Sequence, residues 1–393
     1  MSGWSAPWKD VAIVGVYNTR QARSLPDVTS KMLIMEATIG ALSDAGLAIA
    51  NVDGFCSGTA SAELVYDLGI GPAWIGGGAG YPIMDLFECA AAISAGLASV
   101  IVVAGGDAGT YRDRLATAPC TRPANEFVAP WGLFTAAEFA LIARAHMDRY
   151  GTTPDQLALV SATIRDNGHV NPEAVYFDRG PFSVADVLAS RMIADPFHLL
   201  DCSMTSEGGC ALVLAHIDRA ADLRRPPAFL LGAGHDTFGP PYHHPPLWDL
   251  AGRRPSELVN GLVGARAARI AMTPAGLHPH DVDVLELYDP FSFEVIRQLE
   301  AYGFCAPGEG GPFVEAGNIA PDGPYPVNTD GGLMSFSHAG NIPQHLQRII
   351  RAVQQVQGRC PTRQVPGANI ALCSNGGAGA LFTSVAVIGG EQP

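Results

Sequence analysis

Four short stretches of this chain carry residue types able to move a proton or hold an oxyanion. ELYDPFS places Tyr288 directly after an apolar run, Val282 to Leu287, and SFSHAGN contains His338. ALCSNGGAG contains Cys373, followed by Asn375, Gly376 and Gly377. GGGAG, Gly76 to Gly80, stands before an Ala-rich helical stretch. An imidazole titrates near pH 6.5 and can accept or deliver a proton, and a thiol at a strand end can act as acid or base. Glycines at a helix start let a carbonyl oxygen approach backbone N–H groups, so Gly78, Ala79 and Gly80, with Asn375, Gly376 and Gly377, are the candidate substrate and oxyanion contacts. Each stretch also has a plainer reading. GGGAG can be a tight turn, Tyr288 a packed aromatic with a satisfied hydroxyl, and Cys373 an inert buried thiol.

The elements that must position these residues form a repeated pattern. Asp10 to Gly15 (DVAIVG) reads as a strand buried on both faces. A helix over Lys31 to Ala45 stops at Gly46, a strand resumes over Val52 to Phe55, a helix covers Asp85 to Gly96, and a strand covers Ser99 to Ala104. The order returns in the second half. ALSDAGLAIANVDGFCSG, from Ala41, aligns with AMTPAGLHPHDVDVLELYD, from Ala271, and the stretch before SVIVVAGGDAG resembles the stretch before NIALCSNGGAG. Two α/β halves, 1–218 and 219–393, are expected in a layered α/β/α/β/α arrangement. Residues 107–196, with a helix over Thr135 to Tyr150, read as an inserted loop or lid domain. Gly234 to Pro255, rich in proline and carrying His243 and His244, reads as a second irregular loop.

Composition narrows the function classes. The 393 residues are 48% hydrophobic and 16% charged, with 45 glycines, which suits a large packed core. A net charge of −14 argues against general nucleic-acid binding, although Arg112, Arg114, Arg165, Arg253 and Arg254 are candidates for a local anion patch. Eight cysteines without regular spacing or a CxxC pair point to reduced thiols and no zinc site. Met1 to Asp10 lacks the features of a signal peptide and no apolar run reaches the ~20 residues of a membrane span, so a cytoplasmic protein is expected.

Taken together, DVAIVG, ALSDAGL, NPEAVY, ASRMIADPFHLLDCSMTSEGGCALVL, ELYDPFSFEVIRQLEAYGFC, VNTDGGLMSFSHAG and CSNGGAG resemble the thiolase superfamily over nearly the whole chain. The resemblance is to its branch of sterol-carrier-protein-X and lipid-transfer-protein thiolase-like enzymes of bacterial steroid and aromatic degradation. It implies a thiolase fold and a CoA thioester as substrate, with no permanently bound cofactor and no metal. His338 then matches the family histidine and Cys373 the second catalytic cysteine. The nucleophile position falls at Ala79, which cannot form an acyl-enzyme. Cys89, farther along the helix, and Cys56, on an earlier strand, are not natural replacements.

Tyr288, in YDPF, matches a tyrosine of the thiolase-like aldolases, which also lack the nucleophile; at His338 those aldolases tend to carry Tyr. The resemblance therefore implies retro-aldol cleavage of a bulky, steroid-like β-hydroxyacyl-CoA, with Tyr288, His338 and Cys373 as the proton carriers. A thiolase-type acyltransferase or a non-catalytic acyl-CoA-binding subunit are the alternatives. It further implies a homodimer formed along the strand Ser99 to Ala104, and a small OB-fold CoA-binding partner completing a heterotetramer.

Overall fold

The computed structural model describes residues 8–58, 60–71, 74–77, 81–109, 135–220, 223–237, 263–377 and 382–392. The first half runs β1 (Val11–Asn18), α1 (Ser30–Ala45), β2 (Gly54–Cys56), α2 (Ser61–Asp67), β3 (Trp74–Gly76), α3 (Pro82–Ser94) and β4 (Val100–Asp107). Next come α4 (Thr135–Tyr150), α5 (Pro154–His169), α6 (Val184–Ala189), the short pair β5 (Met192–Ala194) and β6 (Phe197–His198), then β7 (Gly208–His216) and α7 (Ile217–Ala220). The second half runs β8 (Ala228–Thr237), α8 (Ala265–Met272), β9 (Val284–Glu286), α9 (Ser292–Ala301), α10 (Gly310–Glu315), α11 (Asn341–Val356), β10 (Ile370–Gly377) and β11 (Phe382–Gly389).

Among the described residues, the large sheet has nine strands in the order β3-β2-β4-β7-β1-β8-β11-β10-β9. The two half-sheets meet where Ala12 pairs with Phe229 and Ile13 with Ala228. Strand residues alternate between two cores, as the two-residue period of a strand requires. Val11 and Ile13 join one core with Leu86, Cys89, Ile349 and Val353, while Ala12 and Val14 join another with Ala37 and Ala41. Helices α3 and α11 each pack on strands of both halves, whereas α1 packs on β1, β4 and β7 and α8 on β8 and β11. The inner helices therefore lie between the half-sheets, and α1 and α8 cover the outer faces: five layers.

The duplication reaches individual hydrogen bonds. In the first half, α1 ends on Gly46 at φ 76° and the Asp53 carboxylate accepts from the N–H groups of Ser99 and Val100, where β4 starts. In the second, the helical stretch ends on Gly276 at φ 67° and Asp283 accepts from Asn369 and Ile370, where β10 starts. Both glycines hold the left-handed conformation that a Cβ disfavours. Each aspartate sets the register of a parallel pair, β2 with β4 and β9 with β10.

Three expectations change. β4 lies between β2 and β7, so it is internal and not an edge; β3 is the outer strand at that end of the sheet, with Ile75 half exposed. Its apolar character comes from two covered faces. Gly234 to Thr237 belong to β8, and the rest of that proposed loop, including His243 and His244, lies outside the described residues. Arg165 forms no anion patch. It is buried, donating to the carbonyls of Leu200, Cys202 and Met334 with Tyr176 and Phe182 stacked on it, while Arg112, Arg114, Arg253 and Arg254 lie outside the described residues.

If Asp53 and Asp283 are equivalent register pins, Asp53→Ala and Asp283→Ala will each lower unfolding free energy by about 1–3 kcal/mol, because each strands two backbone donors. With no partner in common, the two losses should add in urea titrations of the double variant.

Candidate active site

Each inner helix begins against the strand ends of the opposite half. Tyr81, which caps α3, packs on Phe382 of β11 with ring centroids 4.7 Å apart, and Ile342 and Pro343, at the start of α11, fill the space left by Gly105 of β4. Two helix N-termini, and hence two sets of unpaired N–H groups, converge where the halves meet.

The turn carrying Tyr288 is held from every side. Its N–H donates to Ser374 Oγ (2.9 Å), its carbonyl accepts from Gln298 Nε2 (2.6 Å), and Asn328 brackets the preceding Leu287 by accepting from its N–H and donating to its carbonyl. Gly376 is bare on the face where the Tyr288 ring lies; a Cβ there would sit 3.1 Å from the ring. The next residue, Asp289, accepts from the N–H groups of Leu333 (2.9 Å) and Met334 (3.2 Å). These begin a short π-helical turn, Gly332–Phe336, a wide turn that is common near functional sites. Gly332, at φ 58°, leaves room for the Asp289 carboxylate.

That turn delivers His338. Its amide donates to Ser206 Oγ (2.8 Å), and Ser206 continues through Ser337 to Gln21. Burial pushes the imidazole down to about 4, opposed by hydrogen bonds to the Gln344 side chain and the Met204 backbone. His345, in the second turn of α11, lies with its ring centroid 5.1 Å from that of Tyr288. Burial first, then the charges of His338 and Arg348, push it down to about 3. Both imidazoles are therefore neutral at physiological pH.

A buried ionic cluster underlies these residues. Arg348 makes a two-pronged contact with Asp330 (2.8 and 2.9 Å) and reaches Glu286 at 3.3 Å. Thr329 donates to Glu286 and accepts from Arg351 Nε. Burial raises the carboxyl of Asp289 to about 7, against the pull of Arg348 and two backbone N–H groups, and also raises Glu286, helped by Asp330.

The Tyr288 ring thus packs on His345, and the π-helical turn held by Asp289 leads on to His338. Cys373 adjoins the ionic cluster. It lies on β10 opposite Glu286, fully buried, with its thiol on the Ala386 carbonyl (3.5 Å) and its pKa raised well above the usual thiol value by burial. Asn375 is on the same face of β10. Its Oδ1 accepts from the Ser384 N–H (3.0 Å), while its fully buried Nδ2 has no acceptor among the described residues. Gly377 lies in the β10–β11 ladder opposite Phe382. Gly78, Ala79 and Gly80 lie outside the described residues. Cys56 and Cys89 are sealed in the inner core, where Cys89 hydrogen-bonds Cys56. His345, Asp330 and Arg348 are the site residues that sequence reasoning missed. In the sequence they lie among other polar residues of NIPQHLQRIIRAVQQV and VNTDGG, so residue type alone does not mark them as buried.

Both histidines titrate lower in the folded chain than the ordinary 6.5, so the unfolded chain binds protons first as pH falls. Their stability contribution is whole above about pH 6.5 and is lost as pH falls through about 4 and 3. Asp289 acts oppositely, its contribution being lost as pH rises through about 7. Measured against wild type, His345→Gln should flatten the acid-side decline of the urea midpoint; an unchanged slope would contradict the burial of a neutral His345.

Comparison with known proteins was made against this geometry. Residues 254–390 match the thiolase C-terminal domain-like family. An acetyl-CoA acetyltransferase of Methanothermobacter thermautotrophicus is 34% identical over 389 residues, covering 94% of this chain and 97% of the relative. A steroid side-chain-cleaving aldolase of Thermomonospora curvata is 34% identical over 346 residues, covering 81% and 85%. A solved Ltp2-ChsH2(DUF35) aldolase superposes with a TM-score of 0.85 at 30% identity, covering 98% of this chain and 99% of that one.

Proposed function

We infer the activity from one premise: this chain belongs to the thiolase superfamily, and its relatives include a steroid side-chain-cleaving aldolase. The reading best supported is retro-aldol cleavage of a carbon–carbon bond in a bulky β-hydroxyacyl-CoA, with a steroid-like group on the β-carbon. One observation carries it. The nucleophile position holds Ala79, while a clamped tyrosine turn stands beside two neutral imidazoles.

A retro-aldol step needs no acyl-enzyme. A base takes the β-hydroxyl proton, the hydroxyl oxygen becomes a carbonyl, and the Cα–Cβ electron pair passes into the thioester as an enolate that is then protonated at Cα. Tyr288 and His338 are the proton carriers in this scheme. A neutral His338 is free to accept a proton over the whole physiological range. The Asn375 Nδ2 donor, without an acceptor among the described residues while Oδ1 accepts from the Ser384 N–H, supports a role in holding the enolate oxygen. Cys373 is kept as a thiol by burial, the form that can give a proton to Cα.

The substrate is a CoA thioester, and the assembly we favour is a homodimer with a small OB-fold CoA-binding partner, supported by the aldolase complex to which the fold is similar. Among the described residues, no helix is long and apolar enough to cross a membrane. The acetyltransferase relative supports acyl transfer as a second reading.

Incubation with a bulky β-hydroxyacyl-CoA, and separately with a β-ketoacyl-CoA plus free CoA, distinguishes them. Release of a ketone or aldehyde without CoA consumption is expected; CoA-dependent thiolysis would select acyl transfer, and tight binding without turnover a silent subunit. In the cleavage assay Tyr288→Phe should keep the fold and lower kcat by roughly 10²- to 10⁴-fold, since the packing ring survives and the hydroxyl does not. Cys373→Ser, which keeps a weak donor in place, should be milder than Cys373→Ala.

A further inference from the structure

We propose that Gln298 is a positioning residue that locks the Tyr288 turn and the Asn375 side chain into one frame. The proposal rests on the retro-aldol reading, in which Tyr288 carries the proton and Asn375 holds the enolate oxygen. It goes beyond that reading by naming what keeps the two in register.

Gln298 lies on α9 and is fully buried, and its two amide atoms face opposite kinds of partner. On one side stand the carbonyl oxygens of Tyr288 (2.6 Å) and Glu294 (3.0 Å), which can only accept, so that atom is Nε2. On the other stand the hydroxyls of Ser374 and Tyr302, so that atom is Oε1. The Ser374 hydroxyl gives its proton to Oε1 and accepts from the Tyr288 N–H (2.9 Å). Gln298 thereby closes a ring that runs from the Tyr288 N–H through Ser374 and the amide back to the Tyr288 carbonyl. Rotation of either peptide plane of this residue breaks a buried hydrogen bond.

A second arm runs to Asn375. The Tyr302 hydroxyl is 3.0 Å from Gln298 Oε1 and 3.0 Å from Thr383 Oγ1, and Thr383 donates to the Asn375 carbonyl (2.6 Å). Ser384, next to Thr383, donates its N–H to Asn375 Oδ1 (3.0 Å). Ser374 directly precedes Asn375 on β10, so Gln298 reaches the asparagine from both directions. The Nδ2 of that side chain is left without an acceptor among the described residues. An apolar residue of the same length would fill the space of Gln298; its amide is required only by the groups it joins.

Two assays on the full-length protein test this, with circular dichroism as the check of folding. One is cleavage of a bulky β-hydroxyacyl-CoA. The other is exchange of the α-protons of a short saturated acyl-CoA in D₂O, which needs the enolate to be held but breaks no bond to Cβ. Gln298→Met fills the same space without the amide and should lower kcat by about 10²-fold with KM changed little, and exchange by a similar factor. Gln298→Glu gives a sharper result. As a neutral acid its hydroxyl can donate to the Tyr288 carbonyl while its other oxygen accepts from Ser374; once ionised it has no donor. Dividing its kcat by that of wild type removes titrations common to both, those of Glu294, His338 and Asp289 among them. The quotient should rise by about tenfold or more from pH 9 to pH 6, since burial raises the pH at which the new carboxyl ionises. A purely structural role gives no such recovery in a variant folded at both pH values. A flat quotient, or near-normal kcat in a folded Gln298→Met, would overturn the proposal; if Gln298→Met does not fold, the quotient decides alone. If wild type exchanges α-protons without cleaving, the retro-aldol reading fails by itself, and the same two variants judge the proposal on exchange. A wild type silent in both assays would overturn the two together.

Discussion

The site depends on one buried ion cluster. Arg348 is held, fully buried, between Asp330 and Glu286, and through Asp330 it holds the loop that precedes the π-helical turn. Such a cluster contributes little net stability over an apolar core of the same shape, but losing one member strands the others at a cost of about 3–5 kcal/mol. Its value here is geometric. The same few side chains join α11, the end of β9 and the loop leading to His338, so Tyr288 and His338 cannot shift independently. The three carboxyls around Arg348 also explain why Asp289 titrates near 7: burial outweighs the one guanidinium they share.

Duplication supplies the rest of the frame. Asp53 and Asp283 set the register in their halves, and α3 and α11 each start against the opposite half's strands. Two helix starts therefore meet at one centre, a place suited to developing negative charge on a thioester oxygen. The two halves have diverged in what they bring there. The second half supplies the tyrosine turn, both imidazoles and Asn375, while in the first Cys56 and Cys89 are turned into the core.

Much of this was legible in the sequence. The unbroken apolar runs of DVAIVG and SVIVVA, the Ala-Gly-Leu helix ends and the repeated Val-Asp pairs mark local structure that no tertiary contact overrides. Tyr288 and His338 stand out in the sequence by residue type, but the turn around Tyr288 is fixed by Ser374 and Asn328, and His338 by Ser206, all far away in the chain. Sheet order was not legible: an internal strand and an edge strand covered by another subunit have the same apolar pattern, so β4 could not be distinguished from an edge. Burial of Arg165 depends on carbonyls at Leu200 and Met334, far away in the chain, and an arginine amid polar residues carries no sign of that. His345 was hidden because a histidine on an amphipathic helix looks the same whether it faces solvent or a tyrosine.

Non-covalent catalysis is the central claim, and intact-protein mass during turnover tests it most directly. With a β-hydroxyacyl-CoA in excess and the reaction quenched in the steady state, the protein mass should equal that of the unreacted chain. An added acyl group, traced by peptide mapping to Cys56, Cys89 or Cys373, would contradict the account and establish acyl transfer through a thiol.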